Sequence, residues 1–228
     1  MSEYLVRFSV RQRTEHLAVM VLFITLSVTG FPQKYYEAWW AQPILTALGG
    51  IDAVRWIHRT AGILFAAFTC VHLITAIGLV ATGRSPLTLV PTRRDFTDAI
   101  QMLRYYLGTS GEYAHFDRFD YRQKFEYWGL VFGGILMIAT GLILYFPILT
   151  TRYLPGEVIP AAKVAHGNEG LMAFLVVILW HIYNAHLSPD VFPFDKSIFT
   201  GKISLDRMKH EHPLELARLE ESGEIGER

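Results

Sequence analysis

The sequence predicts an all-α integral membrane protein, a four-helix bundle with its N- and C-termini both in the cytoplasm, and three observations lead there. Of 228 residues 51% are hydrophobic and the mean hydropathy is +0.26, too apolar for an ordinary soluble domain of this size. Four stretches are long enough, at about 1.5 Å per residue, to cross a bilayer that needs about 20 residues. Basic residues are partitioned between alternate connections, as orientation in a membrane requires. The 21 basic and 21 acidic residues cancel, so no net field points to nucleic acid.

In chain order, the first span covers about 14–32 and ends at Pro32, and the second covers about 56–80, followed by Gly83 and Pro86. The third covers about 126–148 and is closed by Pro147; the fourth covers about 164–187 and is followed by Pro189. The N-terminal arm carries Arg7, Arg11 and Arg13. The connection 82–124 adds Arg84, Arg93, Arg94, Arg104, Arg118, Arg122 and Lys124, and the tail adds Lys196, Lys202, Arg207, Lys209, Arg218 and Arg228. The other two connections hold only Lys34, Arg55, Arg152 and Lys163, which places both termini inside. In "RRDFTDAIQMLRYYLG", Phe96, Ile100, Leu103 and Leu107 recur at helical spacing, as in an amphipathic helix on the inner interface. Residues 1–190 thus form the membrane domain and 191–228 a polar cytoplasmic tail. The stretch "MSEYLVRFSVRQRTEH" has mixed charge and no small-residue cleavage site, which reads as no removed signal peptide. Cys70 is the single cysteine, which excludes an internal disulfide, an iron–sulfur cluster ligated within the chain and a C-x-x-C-H haem attachment; its apolar setting is that of a packing thiol.

With helices one and three running outward, His58 and His166 stand at the outer starts of helices two and four. His181 lies 15 residues beyond His166, roughly 22 Å deeper, and a separation of 15 returns to within roughly 60° of the same helix face. His16 stands at the inner start of helix one. Two levels result, each with histidines from different helices. Ionisable groups inside a membrane are costly and functional by default. A haem iron between two facing helices satisfies the unprotonated nitrogens of two imidazoles at once; the plainer account is a satisfied core histidine. Gly62 and Gly170, one turn after His58 and His166, remove bulk where a flat macrocycle would press, or else serve close helix packing. His72, 14 residues after His58 on nearly the same face, is an alternative partner for His181, and His186 with His72 a conceivable third site.

The stretches "RQRTEHLAVMVLFITLSVTG", "RWIHRTAGILF", "FDYRQKFEYW", "AHGNEG", "WHIY" and "IFTGKISLDRMKHEHPLE", in this order and spacing, resemble the dihaem cytochrome b (gamma) subunits of membrane-bound formate dehydrogenases and their relatives in nickel–iron hydrogenases. The likeness covers nearly the whole chain. It implies two haem b groups, the outer held by His58 and His166 and the inner by His16 and His181, with His72 left to contact a propionate or the quinone. It also implies electron transfer between an outer-face iron–sulfur or multihaem cytochrome c subunit, joined to a catalytic subunit, and membrane quinone, menaquinone or ubiquinone. The quinone-facing segment is implied at Asp120, Tyr121, Arg122, Gln123 and Lys124. The family pattern has asparagine where Asp120 stands and glycine where Arg122 stands; the carboxylate at 120 either exchanges protons with quinone or pairs with Arg122 or Lys124.

Arg55 and Arg59 bracket His58 and either meet propionates of the outer haem or snorkel to the interface. Glu169 is placed to support a histidine or to pair with Arg59. His115, His210 and His212 lie in polar segments and read as solvated; Trp39, Trp40, Trp56, Trp128 and Trp180 read as belt residues. The function expected is an electron-transfer subunit of a respiratory complex in a bacterial or archaeal cytoplasmic membrane, with catalysis in another subunit. The alternative is a haem-free anchor or transporter whose histidines handle protons or a metal.

Overall fold

Four helices carry apolar windows long enough to span a membrane, Val10–Lys34, Ile51–Ala81, Tyr121–Tyr145 and Val158–Leu187. They belong to a computed structural model in which residues 4–84, 86–189 and 191–223 are described; Arg228, counted above among the inner basic residues, lies outside them. The elements in order are β1 (Tyr4–Val6), α1 (Val10–Lys34), α2 (Ala41–Ala47), α3 (Ile51–Ala81), α4 (Arg93–Tyr106), α5 (Tyr121–Tyr145), α6 (Pro147–Tyr153) and α7 (Val158–Leu175). The last continues as π-helix over Val176–His181 and Tyr183–Leu187, and is followed by α8 (Ser197–Thr200), β2 (Lys202–Ser204), α9 (Leu205–Glu211) and α10 (Pro213–Glu221).

Most spans run past the limits read from hydropathy, because the backbone ladder continues into polar flanks where apolarity has already ended. α1 passes through Pro32 to Lys34. The third is the exception, stopping at Tyr145 instead of 148. Pro147 lacks an N–H and disfavours helical geometry at the residue before it, and Phe146 accordingly sits at φ −118°, ψ 57°. Pro147 then opens α6 from its first turn, where the missing donor costs nothing.

The chain forms two compact units. One comprises residues 14–81 and 130–184, the membrane bundle proper. Its helices meet pairwise through named contacts: α1 with α3 at Thr29 and His58, α3 with α5 at Phe65 and Gly134, α5 with α7 at Thr140 and His166, and α7 with α1 at Phe174 and Phe31. Lys34 Nζ also donates to Gly167 O at 2.6 Å and Asn168 Oδ1 at 2.8 Å, tying the end of α1 to α7. Cys70 lies on an exposed face of α3 and packs no protein core.

The other unit gathers the arm up to Arg13, the connection 82–129 and the chain from Ala185 onward. The tail expected as polar and soluble is folded into it. β1 and β2 pair antiparallel in the register Tyr4↔Ser204, Leu5↔Ile203 and Val6↔Lys202, and Ile203, Met208 and Leu216 form a small core against Leu5, Leu205 and Leu219. These apolar residues are too sparse along the chain to register as a periodic run, and only the arm completes their burial. A second cluster joins Met102 of α4 to Ala114 and Phe116. The opposite side of α4 leaves Phe96, Ile100, Leu103 and Leu107 exposed, which is the face the sequence assigns to the interface.

His212, expected to be solvated, is buried. Its Nδ1 lies 2.8 Å from Asp117 O, to which it donates, and its Nε2 lies 3.1 Å from Arg7 Nη2, a group that only donates. Protonation would aim a second N–H at a guanidinium. Burial first, and the Arg7 cation second, therefore lower its pKa from 6.5 to about 4. Above pH 6.5 the ring is neutral in folded and unfolded chains and its contribution to stability is complete. Between 6.5 and 4 the unfolded chain takes up a proton that the folded one refuses, so stability falls by about 1.4 kcal/mol per pH unit. Amide exchange across Pro213–Glu221, corrected for intrinsic rates, is expected to accelerate from pH 7 to pH 5, and His212→Asn to flatten that dependence; a wild-type profile flat in pH contradicts it.

Candidate functional site

Within the bundle, histidines meet in twos. The rings of His58 on α3 and His166 on α7 have centroids 6.3 Å apart at an interplanar angle of 76°; those of His16 on α1 and His181 in the π-helical run are 6.2 Å apart at 37°. Two imidazoles sharing one metal, with bonds of about 2 Å and ring centres roughly 1.1 Å behind the ligating nitrogens, place their centroids about 6 Å apart. Both pairs have that spacing. Among the described residues no group of three or more His, Cys, Asp or Glu converges as an all-protein metal site. Facing pairs match instead a metal that brings its own equatorial donors, as haem iron does. The residues present therefore fit the group.

The π-helical turns account for how helix four serves both levels. An unbroken α-helix leaves His181 about 60° out of phase with His166. A π-helix turns less per residue, so the run Val176–His181 reduces that offset and brings His181 back toward the face that carries His166.

Thr29 and Thr140 escaped the sequence reading. Each hydroxyl lies 2.9 Å from the Nδ1 of a histidine on the neighbouring helix, Thr29 to His58 and Thr140 to His166. Each is followed by glycine. A methyl added at Gly30 would lie 3.1 Å from His58 Cε1, and one at Gly141 3.3 Å from His166 Cε1, tight contacts that a side chain at either position would make with the ring. The signal in the sequence was the dipeptide Thr-Gly recurring on helices one and three. Gly62 has no atom within 4 Å of where a Cβ would sit, and at Gly170 the nearest is Met137 Cε at 3.5 Å.

His72 Nδ1 lies 3.0 Å from Glu15 Oε2, a carboxylate adjacent to His16. Arg59 stacks over the Tyr145 ring at 5.3 Å, and Arg55 lies 3.7 Å from Asp52; both arginines line an exposed cleft of about 380 Å³ with Trp56 and Ile63. Glu169 Oε1 packs against Gly133 of α5.

In the other unit, Asp120 caps α5. Its Oδ1 accepts from Gln123 N at 2.9 Å while Gln123 Oε1 accepts from Asp120 N at 3.1 Å, a reciprocal capping box. Its Oδ2 takes Arg122 Nε at 2.9 Å and Nη2 at 2.6 Å. Lys124 pairs with Asp95 at 2.8 Å. Of the three quinone-site candidates Lys124 lines a cavity of about 490 Å³, together with Leu87, Val90, Phe116, Phe119 and Asp98. Burial pushes the Asp98 carboxyl up; at Asp95 burial acts the same way but is outweighed by hydrogen bonds from Lys124 and Thr92, which hold it below the usual range. The two carboxyls, missed in the sequence, are thereby driven apart in acidity. Trp128 Nε1 donates to Leu89 O at 2.9 Å, and His186 stacks on Phe194 at 4.1 Å.

Residues 7–191 match the family described as prokaryotic cytochrome b561. Over 213 residues the chain is 21% identical to the cytochrome b556 subunit of the nitrate-inducible formate dehydrogenase of Escherichia coli strain K12, covering 93% of this chain and 90% of that one. The same subunit from Escherichia coli O157:H7 and from Shigella flexneri matches with the same identity and coverage.

Proposed function

Since the chain belongs to the prokaryotic cytochrome b561 family, and is therefore a multi-pass membrane cytochrome b that binds haem b and transfers electrons, we propose that it carries two haems and links an outer-face redox partner to membrane quinone. His58 and His166 hold the outer haem; His16 and His181 hold the inner one. The observation that carries this assignment is the pair of ring separations, 6.3 and 6.2 Å, each drawn from two helices. His72 is engaged by Glu15, which favours His16 as the inner ligand.

Haem in these positions supplies one-electron iron chemistry. The chain would supply the imidazole nitrogens that hold it, their orientation and an apolar surround. Both termini lie in the cytoplasm, in keeping with the sixteen basic residues of the arm, long connection and tail. Quinone is met at the start of α5, around Asp120, Gln123 and Lys124. The 490 Å³ cavity has a mixed wall: Leu87, Val90, Phe116 and Phe119 suit a substituted ring, and charged groups such as Arg94 and Lys124 suit its oxygens. Within it Asp98, whose carboxyl is pushed up by burial, is the group that gives and regains a proton, and the Lys124–Asp95 pair fixes the wall. Asp120 positions that segment through its cap and its pairing with Arg122.

The relatives named as formate dehydrogenase subunits support an iron–sulfur subunit with a formate-oxidising catalytic subunit as the partners. Purification from a membrane extract is expected to yield a coloured protein with a reduced-minus-oxidised haem b spectrum, two haems per chain, and reoxidation of the haems by a quinone analogue. A folded, colourless chain overturns the reading, and haems inert to every quinone analogue overturn the quinone branch.

A further inference from the structure

We propose that the Thr29–Gly30 and Thr140–Gly141 pairs are positioning elements that lock His58 and His166 with Nε2 turned toward each other and thereby set the reduction potential of the metal the two rings share. The inference rests on the haem assignment above. A hydroxyl has one hydrogen. In Thr29 it is donated to Thr25 O at 2.6 Å, and in Thr140 to Leu136 O at 2.7 Å. What Oγ1 then presents to the histidine is a lone pair, so the hydrogen in each 2.9 Å contact comes from the ring. Nδ1 carries the proton, and Nε2 keeps the lone pair that ligates. The arrangement is duplicated, α1 acting on α3 and α5 on α7. In each copy the glycine after the threonine lets Cε1 approach the helix surface.

An N–H···O bond at Nδ1 makes an imidazole a better electron donor and favours the oxidised metal; such outer partners fix ring orientation and tune basicity. A threonine oxygen is a neutral acceptor, so its effect is moderate. Thr29→Val or Thr140→Val keeps the side-chain volume, removes the hydroxyl acceptor and leaves the ring N–H only the backbone carbonyl of Leu26 or Met137, and is expected to shift the oxidised-to-reduced ratio of one haem toward the reduced form by about threefold to tenfold. The latter corresponds to about 59 mV for a one-electron couple. Thr29→Ser restores the oxygen and is expected to return the potential to within a third of that shift.

The angle between the rings identifies which haem moves. Near-perpendicular planes, 76° for His58 and His166 against 37° for His16 and His181, would leave the dπ orbitals of a bound iron closer to degeneracy and would give the more anisotropic ferric resonance. Redox titration followed by low-temperature paramagnetic resonance of the purified protein is therefore expected to show the more anisotropic haem rise in potential while the other stays. Midpoints and resonances equal to wild type in the valine variants, with both haems bound, overturn the proposal. A wild-type protein without haem defeats instead the assignment beneath it. Should one valine variant not assemble, an unshifted potential in the other overturns it equally.

Discussion

Replacing His166 by alanine is expected to halve the bound haem, leaving one group per chain and a reduced-minus-oxidised absorbance about half that of wild type. The expectation follows from how the pair is built. His58 and His166 face one another at 6.3 Å from separate helices, so deleting one leaves a single imidazole and a methyl on the far side, with no other histidine in the pair to replace it. Outer-shell partners alone are worth about 10- to 100-fold in metal affinity, and loss of a direct ligand exceeds that. The His16–His181 pair, built on α1 and the π-helical run, is separate and is expected to keep the haem proposed for it. His58→Ala is expected to behave as His166→Ala, and His16→Ala or His181→Ala to remove the other group. His72→Ala, which breaks the 3.0 Å contact to Glu15, is expected to retain both. Loss of haem in His72→Ala with full occupancy in His16→Ala would reverse the inner assignment.

Glu215→Ala is expected to cost about 3–5 kcal/mol in the unit formed by the arm, the long connection and the tail, the range for removing one partner of a buried ion pair. Glu215 is 2% exposed and Arg7 3%. Arg7 Nη1 and Arg118 Nη1 donate to its two oxygens, the latter at 2.5 Å, and Arg118 Nη2 donates back to Arg7 O at 2.7 Å. With the carboxylate gone, Arg118 can turn toward water, since a quarter of its side chain is exposed; Arg7 has no such route and stays buried beside His212. Amide exchange in α9 and α10 and proteolysis of the tail are expected to rise by two orders of magnitude or more, and unchanged exchange would remove the network from any structural role. Arg7→Met combined with Glu215→Leu is expected to be milder than Glu215→Ala alone, because the one cation left without its carboxylate is Arg118, which can reach water.

The membrane architecture was legible because its cause is local. A bilayer selects on hydropathy summed over some twenty consecutive residues, so the four spans, and the sequence positions of His16, His58, His166 and His181 within them, can be read along the chain. Where a strong local rule acts the reading was also sharp: Pro147 marks the break after α5, off by three residues only because its effect reaches back to Phe146. Spacing alone put His181 within roughly 60° of the face that carries His166; the π-helical run Val176–His181, which has no dependable signature in composition, takes up the remaining rotation.

The remainder was decided by tertiary structure. Thr29 and Thr140 are ordinary residues in apolar helices until the neighbouring helix brings a ring nitrogen within 2.9 Å, and Asp98 is one acidic residue among many until a cavity wall withdraws its water. His212 and Glu215 sit in a segment whose composition says solvent, and are buried because the arm, separated from them by about two hundred residues, supplies Arg7 and Leu5. By itself the sequence determined how many helices cross the membrane and which residues they carry, since each residue contributes to that independently of its distant neighbours. Which nitrogen faces which, and which charges lose their water, depends on pairs far apart in the chain, and only the folded arrangement fixes them.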